Sequence, residues 1–176
     1  MNQQDPIKKT GQGMLYIAWI LGLFLLYLLF DGALKRQNNP NSQPLTRMNN
    51  ENVEVVLKRN RYGHYLTGGS INGVPATFMI DTGATDIAVP ENLAVKMKLR
   101  KGPIISMSTA NGVSQAWMTT ISTLKIGGLT LYNLKASINP GMNHSDEVLL
   151  GMAALKKLDF AQQGDTLILK QASTNY

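Results

Sequence analysis

The sequence contains no cysteine. That excludes a disulfide framework, a thiolate nucleophile, and zinc or iron–sulfur centres built on cysteine. Histidine is almost as scarce. His64 and His144 are the only two in 176 residues; they lack metal-ligand spacing and His-Glu-x-x-His is absent, so no metal or other cofactor is expected. There is no Gly-x-Ser-x-Gly nucleophile elbow and no glycine-rich phosphate loop ending in Lys-Ser/Thr. His144-Ser145-Asp146 carries the letters of a catalytic triad, but a triad is a three-dimensional arrangement and this polar stretch reads as a loop. Charged residues make up only 16% of the chain, with 17 Lys+Arg against 11 Asp+Glu. The net charge of +6 divides evenly between the first fifty residues and the rest. No Lys/Arg cluster interleaved with aromatics stands in the globular part, so nucleic acid is not an expected partner.

What the sequence does hold is one long apolar run. Gly13 to Phe30 is an uncharged stretch of 18 residues, just long enough, at about 1.5 Å per residue, to cross a hydrocarbon core. It ends in bulky residues and is followed by Asp31-Gly32-Ala33-Leu34-Lys35, not by an Ala-x-Ala cleavage site, which favours an uncleaved transmembrane anchor over a signal peptide. As a core helix of a small domain it would need a polar face, and it has none. Lys8 and Lys9 precede the run and Lys35 and Arg36 follow it, so positive charge leaves the orientation undecided. Residues 1–12 read as an N-terminal tail. Residues 31–52, rich in Asn, Gln, Pro and Ser, read as a flexible linker. The remaining 53–176 suffice for one compact domain.

Within that domain the apolar pattern is short and β-like. Strands are predicted at Val53–Leu57, Gly63–Gly68, Ala76–Ile80, Ile104–Thr109, Gln115–Ile121, Leu129–Leu134, Ala136–Ile138 and Thr166–Lys170. Asn72-Gly73 and Asn111-Gly112 lie between such stretches, where both residues can take the positive φ of a type I′ turn, and each predicts a hairpin. Helical pattern is confined to Pro90–Met97, with proline at the start, and Met152–Leu158. The fold class is mainly β, a small closed barrel with one or two short helices, preceded by a single transmembrane helix.

The chemistry candidate is Asp81-Thr82-Gly83. Three letters alone are weak evidence, but these follow directly on the apolar strand Ala76-Thr77-Phe78-Met79-Ile80. A carboxylate at the end of a buried strand must be solvated, hydrogen-bonded or functional, because leaving it unpaired away from water costs several kcal/mol. Thr82 supplies a hydroxyl, and Gly83 lets backbone pass close beneath the carboxylate. Asp86, five residues on, is a second carboxylate that would bear on the first if it pointed inward; the solvated alternative is the simpler expectation.

From here the chain resembles a known family, the retropepsin-like aspartic proteases, and within it the single-domain, membrane-anchored bacterial members. Three features carry the resemblance. Gly73 to Thr85 looks like the family's strand and catalytic loop. Val148-Leu149-Leu150-Gly151-Met152 is similar to its apolar-apolar-Gly signature, followed by a short helix. The Ile104–Ile121 hairpin between them takes the place of the flap. The match covers roughly 51–170.

The resemblance implies that Asp81 is catalytic, that Thr82 braces the paired loop of a partner subunit, and that Gly83 permits close approach of the two loops. Only one such aspartate is present, because Gly164-Asp165-Thr166 has the letters in the wrong order, so a complete site requires a homodimer with one Asp81 from each subunit on the two-fold axis. The expected function is a membrane-anchored aspartic endopeptidase acting on peptide or protein substrates. The flap tip, Ala110-Asn111-Gly112, would hydrogen-bond the extended substrate, with Trp117, Met107 and Met118 lining a pocket or simply packing. The family's placement implies a bacterial inner membrane, the N-terminus in the cytoplasm and the protease domain in the periplasm. A second reading remains open: a non-catalytic module of the same fold used for dimerisation or peptide binding, because fold does not imply function.

Overall fold

The structure is a computed structural model and describes residues 6–48, 52–109 and 112–172. It divides into two units, Met1–Gln37 and Asn38–Tyr176. The described residues of the first all lie in one helix, α1 (Pro6–Asn38). Its stretch Gly13–Asn38, of 26 residues, contains an 18-residue window of mean hydropathy 2.3 and is long and apolar enough to cross a membrane, about 39 Å at the α-helical rise. Met14 through Phe30 expose their large apolar side chains all around the helix. Lys35 and Arg36 stand in the last turn, where cations favour the helix dipole, and Lys35 pairs with Asp31 at 2.8 Å.

The linker predicted over 31–52 is not a loose tether in its described part. Helix α1 continues to Asn38, and β1 (Leu45–Met48) joins a sheet. Between them Asn41 is buried. Its side-chain amide donates to the carbonyls of Lys58 (2.9 Å) and Leu66 (2.7 Å), and its side-chain oxygen accepts from the Lys58 N–H at 2.7 Å. A polar composition suggests disorder because it buries little apolar surface. An asparagine that satisfies three backbone groups binds the chain down without burying any.

The strands follow as β2 (Asn52–Lys58), β3 (Tyr65–Ile71), β4 (Val74–Ile80), β5 (Ile87–Pro90), β6 (Ile104–Thr109), β7 (Gly112–Ile126), β8 (Leu129–Asn139), β9 (Glu147–Leu150), β10 (Asp159–Gln163) and β11 (Thr166–Ala172). Two short helices, α2 (Glu91–Lys96) and α3 (Met152–Leu155), complete the set with a 3-10 turn at Pro140–Met142. A sheet of four strands runs β1-β2-β11-β10; the other runs β3-β4-β9-β5-β8-β7-β6. Ser70 and Ile71 of β3 also pair with Lys125 and Leu124 of β7, so six strands of the second sheet form a ring, with β6 outside it on β7. The four-stranded sheet is an addition that the single-barrel expectation does not contain. Its β1 and β10 have no apolar alternation: every residue of β10 is exposed.

The two sheets are joined by side chains that imitate backbone. Gln171 accepts from the Thr130 N–H (3.1 Å) and donates to its carbonyl (2.9 Å). The apolar faces of both sheets feed one core, with Leu57, Phe78, Ile121, Leu134, Val148 and Leu169 at 0–1% exposure. The Asn72-Gly73 turn has the expected form, φ +51° and +81°, closing β3 on β4 in the register Ile71↔Val74. In place of the two strands predicted within 129–138 there is one, β8. It contains Asn133 at φ +50°, an irregularity between the pairs Ile121↔Leu134 and Thr123↔Tyr132.

Replacing Asn41 with Ala removes one side chain and orphans three backbone groups. We expect Asn41→Ala to lower unfolding free energy by about 2–4 kcal/mol in a denaturant titration, with Asn39→Ala, whose side-chain bond is to the nearby Asn41 N–H, costing much less.

Candidate active site

β9 lies between β4 and β5. It runs parallel to β4, from Thr77↔Glu147 to Ile80↔Leu150, and antiparallel to β5, with Ile87↔Leu150 and Ala88↔Leu149. The chain leaving β4 must therefore cross the end of β9 before re-entering the sheet. That crossing is Asp81–Asp86.

The crossing is clamped by backbone hydrogen bonds. Asp81 N–H donates to the Leu150 carbonyl (3.0 Å), Gly151 N–H to Asp86 (3.1 Å), Met152 N–H to Ala84 (2.8 Å) and Ala153 N–H to Thr85 (2.8 Å). The start of α3 thus places its free N–H groups on the loop's carbonyls. Gly151 makes this approach possible: a Cβ there would stand 2.5 Å from the Ala84 carbonyl oxygen and closer still to that of Asp86.

Above the clamp, Asp81, Thr82 and Gly83 are all exposed. Asp81 Oδ1 accepts from the Gly83 N–H at 2.8 Å, which fixes the carboxylate's rotamer. A Cβ on Gly83 would press on that same oxygen at 3.2 Å. Asp86 is also exposed and serves the loop through its carbonyl. A cleft of about 290 Å³ opens beside Asp81 and Thr82, walled by Arg59, Gly63, His64, Tyr65, Met79, Ile80, Gln162 and Leu167. Sequence reasoning did not find Arg59, Tyr65 and Gln162. They arrive from β2's end, β3 and β10, and no spacing in the sequence brings them together.

The predicted flap is a hairpin. β6 pairs with β7 from Ile104↔Trp117 to Thr109↔Gly112, and Gly112 has φ +108°. Ala110 and Asn111 lie outside the described residues. Trp117 is half-buried and Met118 exposed. At the hairpin's base, Lys101 Nζ lies 3.8 Å from the Trp117 ring centroid and pairs with Glu91 at the start of α2. Lys101's hydrogen bond holds the Glu91 carboxyl below the usual glutamate range, against a smaller opposing effect of burial. His144 is exposed, and the Ser145 hydroxyl accepts from the Glu147 N–H at 3.1 Å, a turn contact that leaves the triad letters structural. Among the described residues no group of three or more His, Cys, Asp or Glu is placed to hold a metal ion.

The loop thus holds a carboxylate fixed by its own glycine at the end of a buried strand, with a second chain segment pinned beneath. Comparison with known proteins supplies the family. Residues 67–157 match the model of the family described as "gag-polyprotein putative aspartyl protease". The structure is similar to that of a retropepsin-like aspartic protease from Rickettsia conorii, with 30% identity and a TM-score of 0.58 over 74% of this chain and 96% of that one. Two uncharacterized proteins are also similar in sequence. One, from Sinorhizobium sp., is 33% identical over 62% of this chain and 48% of its own length. The other, from Rickettsia prowazekii, is 31% identical over 72% of this chain and 55% of its own. The chain thus spans about half the length of these two relatives. It belongs to the retropepsin-like aspartic protease family.

Two outcomes follow from this geometry. Gly151→Ala should drive the Asp81–Asp86 crossing off its clamp and lower unfolding free energy by about 1–3 kcal/mol, measurable by thermal or denaturant unfolding. The Glu91–Lys101 contact stabilises the fold above the ordinary glutamate range and is lost as pH falls through Glu91's depressed value. In a Trp19→Phe background, Trp117 fluorescence should therefore change below the usual glutamate range, and Glu91→Gln should abolish that transition.

Proposed function

We propose that this chain is a membrane-anchored aspartic endopeptidase, active as a homodimer in which each subunit contributes one Asp81. The observation that carries the reading is the Asp81 carboxylate, exposed at the end of β4, oriented by the Gly83 N–H at 2.8 Å and supported by the clamp to Leu150–Ala153. One carboxylate per chain is half a dyad. An isologous pairing on a two-fold axis supplies the other.

Two aspartates a few ångströms apart share one proton, as is general for aspartic-protease dyads. The unprotonated member takes a proton from water as that water's oxygen attacks the peptide carbonyl. The protonated member donates to the developing oxyanion, and collapse of the tetrahedral species releases the amine. No covalent enzyme intermediate forms. In this reading Thr82 braces the partner's loop, Gly83 allows the loops to meet, and the hairpin tip Ala110-Asn111-Gly112 closes over an extended peptide, excluding water from the reacting centre.

The helix from Pro6 to Asn38 serves as a single-pass anchor. By family resemblance the membrane is the bacterial inner membrane and the protease domain lies in the periplasm. A reporter fused at the C-terminus tests that side directly: signal from a periplasm-dependent reporter is expected, and signal from a cytoplasm-dependent one overturns it.

The catalytic reading is tested with the full-length protein in detergent micelles and a mixed peptide library, read by mass spectrometry. Wild type should cleave with a bell-shaped pH dependence, since both the shared proton and the remaining charge are needed. Asp81→Asn should cut at least about a thousandfold more slowly, while sedimentation shows the same dimer. Equal cleavage by both proteins would remove Asp81 from the chemistry.

A further inference from the structure

The cleft beside Asp81 is walled by residues with donors that no described residue satisfies. Arg59 follows β2, and its N–H donates to the Asp165 carbonyl at 2.8 Å. Its guanidinium pairs on one side with the Asp165 carboxylate at 3.3 Å; the arginine side chain is 33% exposed and that of Asp165 is 85% exposed. On the other side the guanidinium carbon lies 5.4 Å from the centroid of the Tyr65 ring. Tyr65 opens β3 and is 7% exposed. Arg59 Nε and Tyr65 Oη are both enclosed, and neither has a hydrogen-bond partner among the described residues.

Enclosed donors without acceptors cost free energy until an acceptor arrives. Guanidinium is shaped to bind a carboxylate through two parallel N–H groups, and it cannot shed its charge. The outer carboxylate, Asp165, stands in water and is a weak competitor. Among the described residues Asp81 is the one acidic residue in the cleft wall, and His64 and Gln162 add further polar groups. A peptide lying across Asp81 would pass this cleft within one or two residues of the bond being cut.

We propose that the cleft is a specificity subsite for an acidic side chain, aspartate or glutamate, of the substrate peptide near the scissile bond. Arg59 turns from Asp165 to fork the incoming carboxylate, and the Tyr65 hydroxyl donates to the same group. A neutral amide side chain satisfies these donors less completely and without charge assistance. This inference rests on the reading of Asp81 as the catalytic carboxylate.

The test uses full-length protein in detergent and two matched peptide libraries that differ only in carrying Asp/Glu or Asn/Gln within two residues of the cut. Wild type should favour the acidic set by about tenfold in kcat/KM, the scale of one charge-assisted hydrogen bond. Arg59→Gln should bring that ratio to within about twofold while neutral peptides are still cut. Tyr65→Phe, which keeps the ring and removes only the unpaired hydroxyl, should lower the ratio, and Asp165→Asn, which removes the competing carboxylate, should raise it. Asp81-dependent cleavage with no acidic preference, or a preference that survives Arg59→Gln, overturns the proposal and leaves the catalytic reading standing. Loss of the dimer on sedimentation of Arg59→Gln also overturns it, because the guanidinium would then serve the partner subunit. If wild type cuts neither library, the catalytic reading fails. Binding of the same peptides to Asp81→Asn then decides the subsite by itself: acidic preference abolished by Arg59→Gln supports it, and equal affinity for both sets ends it.

Discussion

A single insertion governs the rest: β9 lies between two strands that are adjacent in sequence. Because β4 and β5 cannot pair with each other, the chain between them has to pass over the end of β9. A loop in that position normally spends its polar backbone on water or on itself. Here the carbonyls of Ala84, Thr85 and Asp86 are taken by Gly151, Met152 and Ala153, so a loop with little apolar surface is nonetheless held in one shape. Catalytic geometry requires that combination, a rigid support beneath and an open carboxylate above.

The parts of this arrangement that follow simple rules are legible in the sequence. β4 reads as a strand because Phe78 and Ile80 turn to the core, and Asp81 draws attention because a charge at the end of such a strand needs a reason. Asn72-Gly73 predicts its turn because few other pairs accept positive φ at both positions. Other parts obey rules that composition hides. β10, Asp-Phe-Ala-Gln-Gln, is exposed along its whole length and is a strand only because β11 pairs with it. Asn133 interrupts β8 with a left-handed residue, which makes one strand look like two. Asn41 sits in a stretch with the composition of disordered chain, yet its amide links two separate backbone segments. Tertiary pairing overrides local preference in each case.

The site shows the same division. Asp81, Thr82 and Gly83 are contiguous, so their grouping needs no fold to reveal it. Arg59 lies in Lys58-Arg59-Asn60-Arg61-Tyr62, which reads as a solvated turn, and Tyr65 reads as an ordinary inward residue of β3. Their meeting beside Asp81 depends on the four-stranded sheet standing against that end of the ring. Contacts made by long-range pairing are what a one-dimensional reading lacks. The two donors of that cleft are conspicuous because, among the described residues, they are the enclosed side-chain polar atoms left without a hydrogen-bond partner, and buried polar groups are ordinarily paired.

The pairing of β2 with β11 has a consequence for how the domain is made. Val55 and Leu169, buried neighbours in the core, come from opposite ends of the folded unit, and the ring likewise needs β3 to meet β7. Few of these contacts are local, so loop closure precedes most of the stabilisation and folding is expected to be slow for the domain's size. During synthesis β2 has no β11 to pair with until that strand has emerged. Until then its edge is open and the core lacks a wall, and the emergence of β11 is the event that lets the domain close.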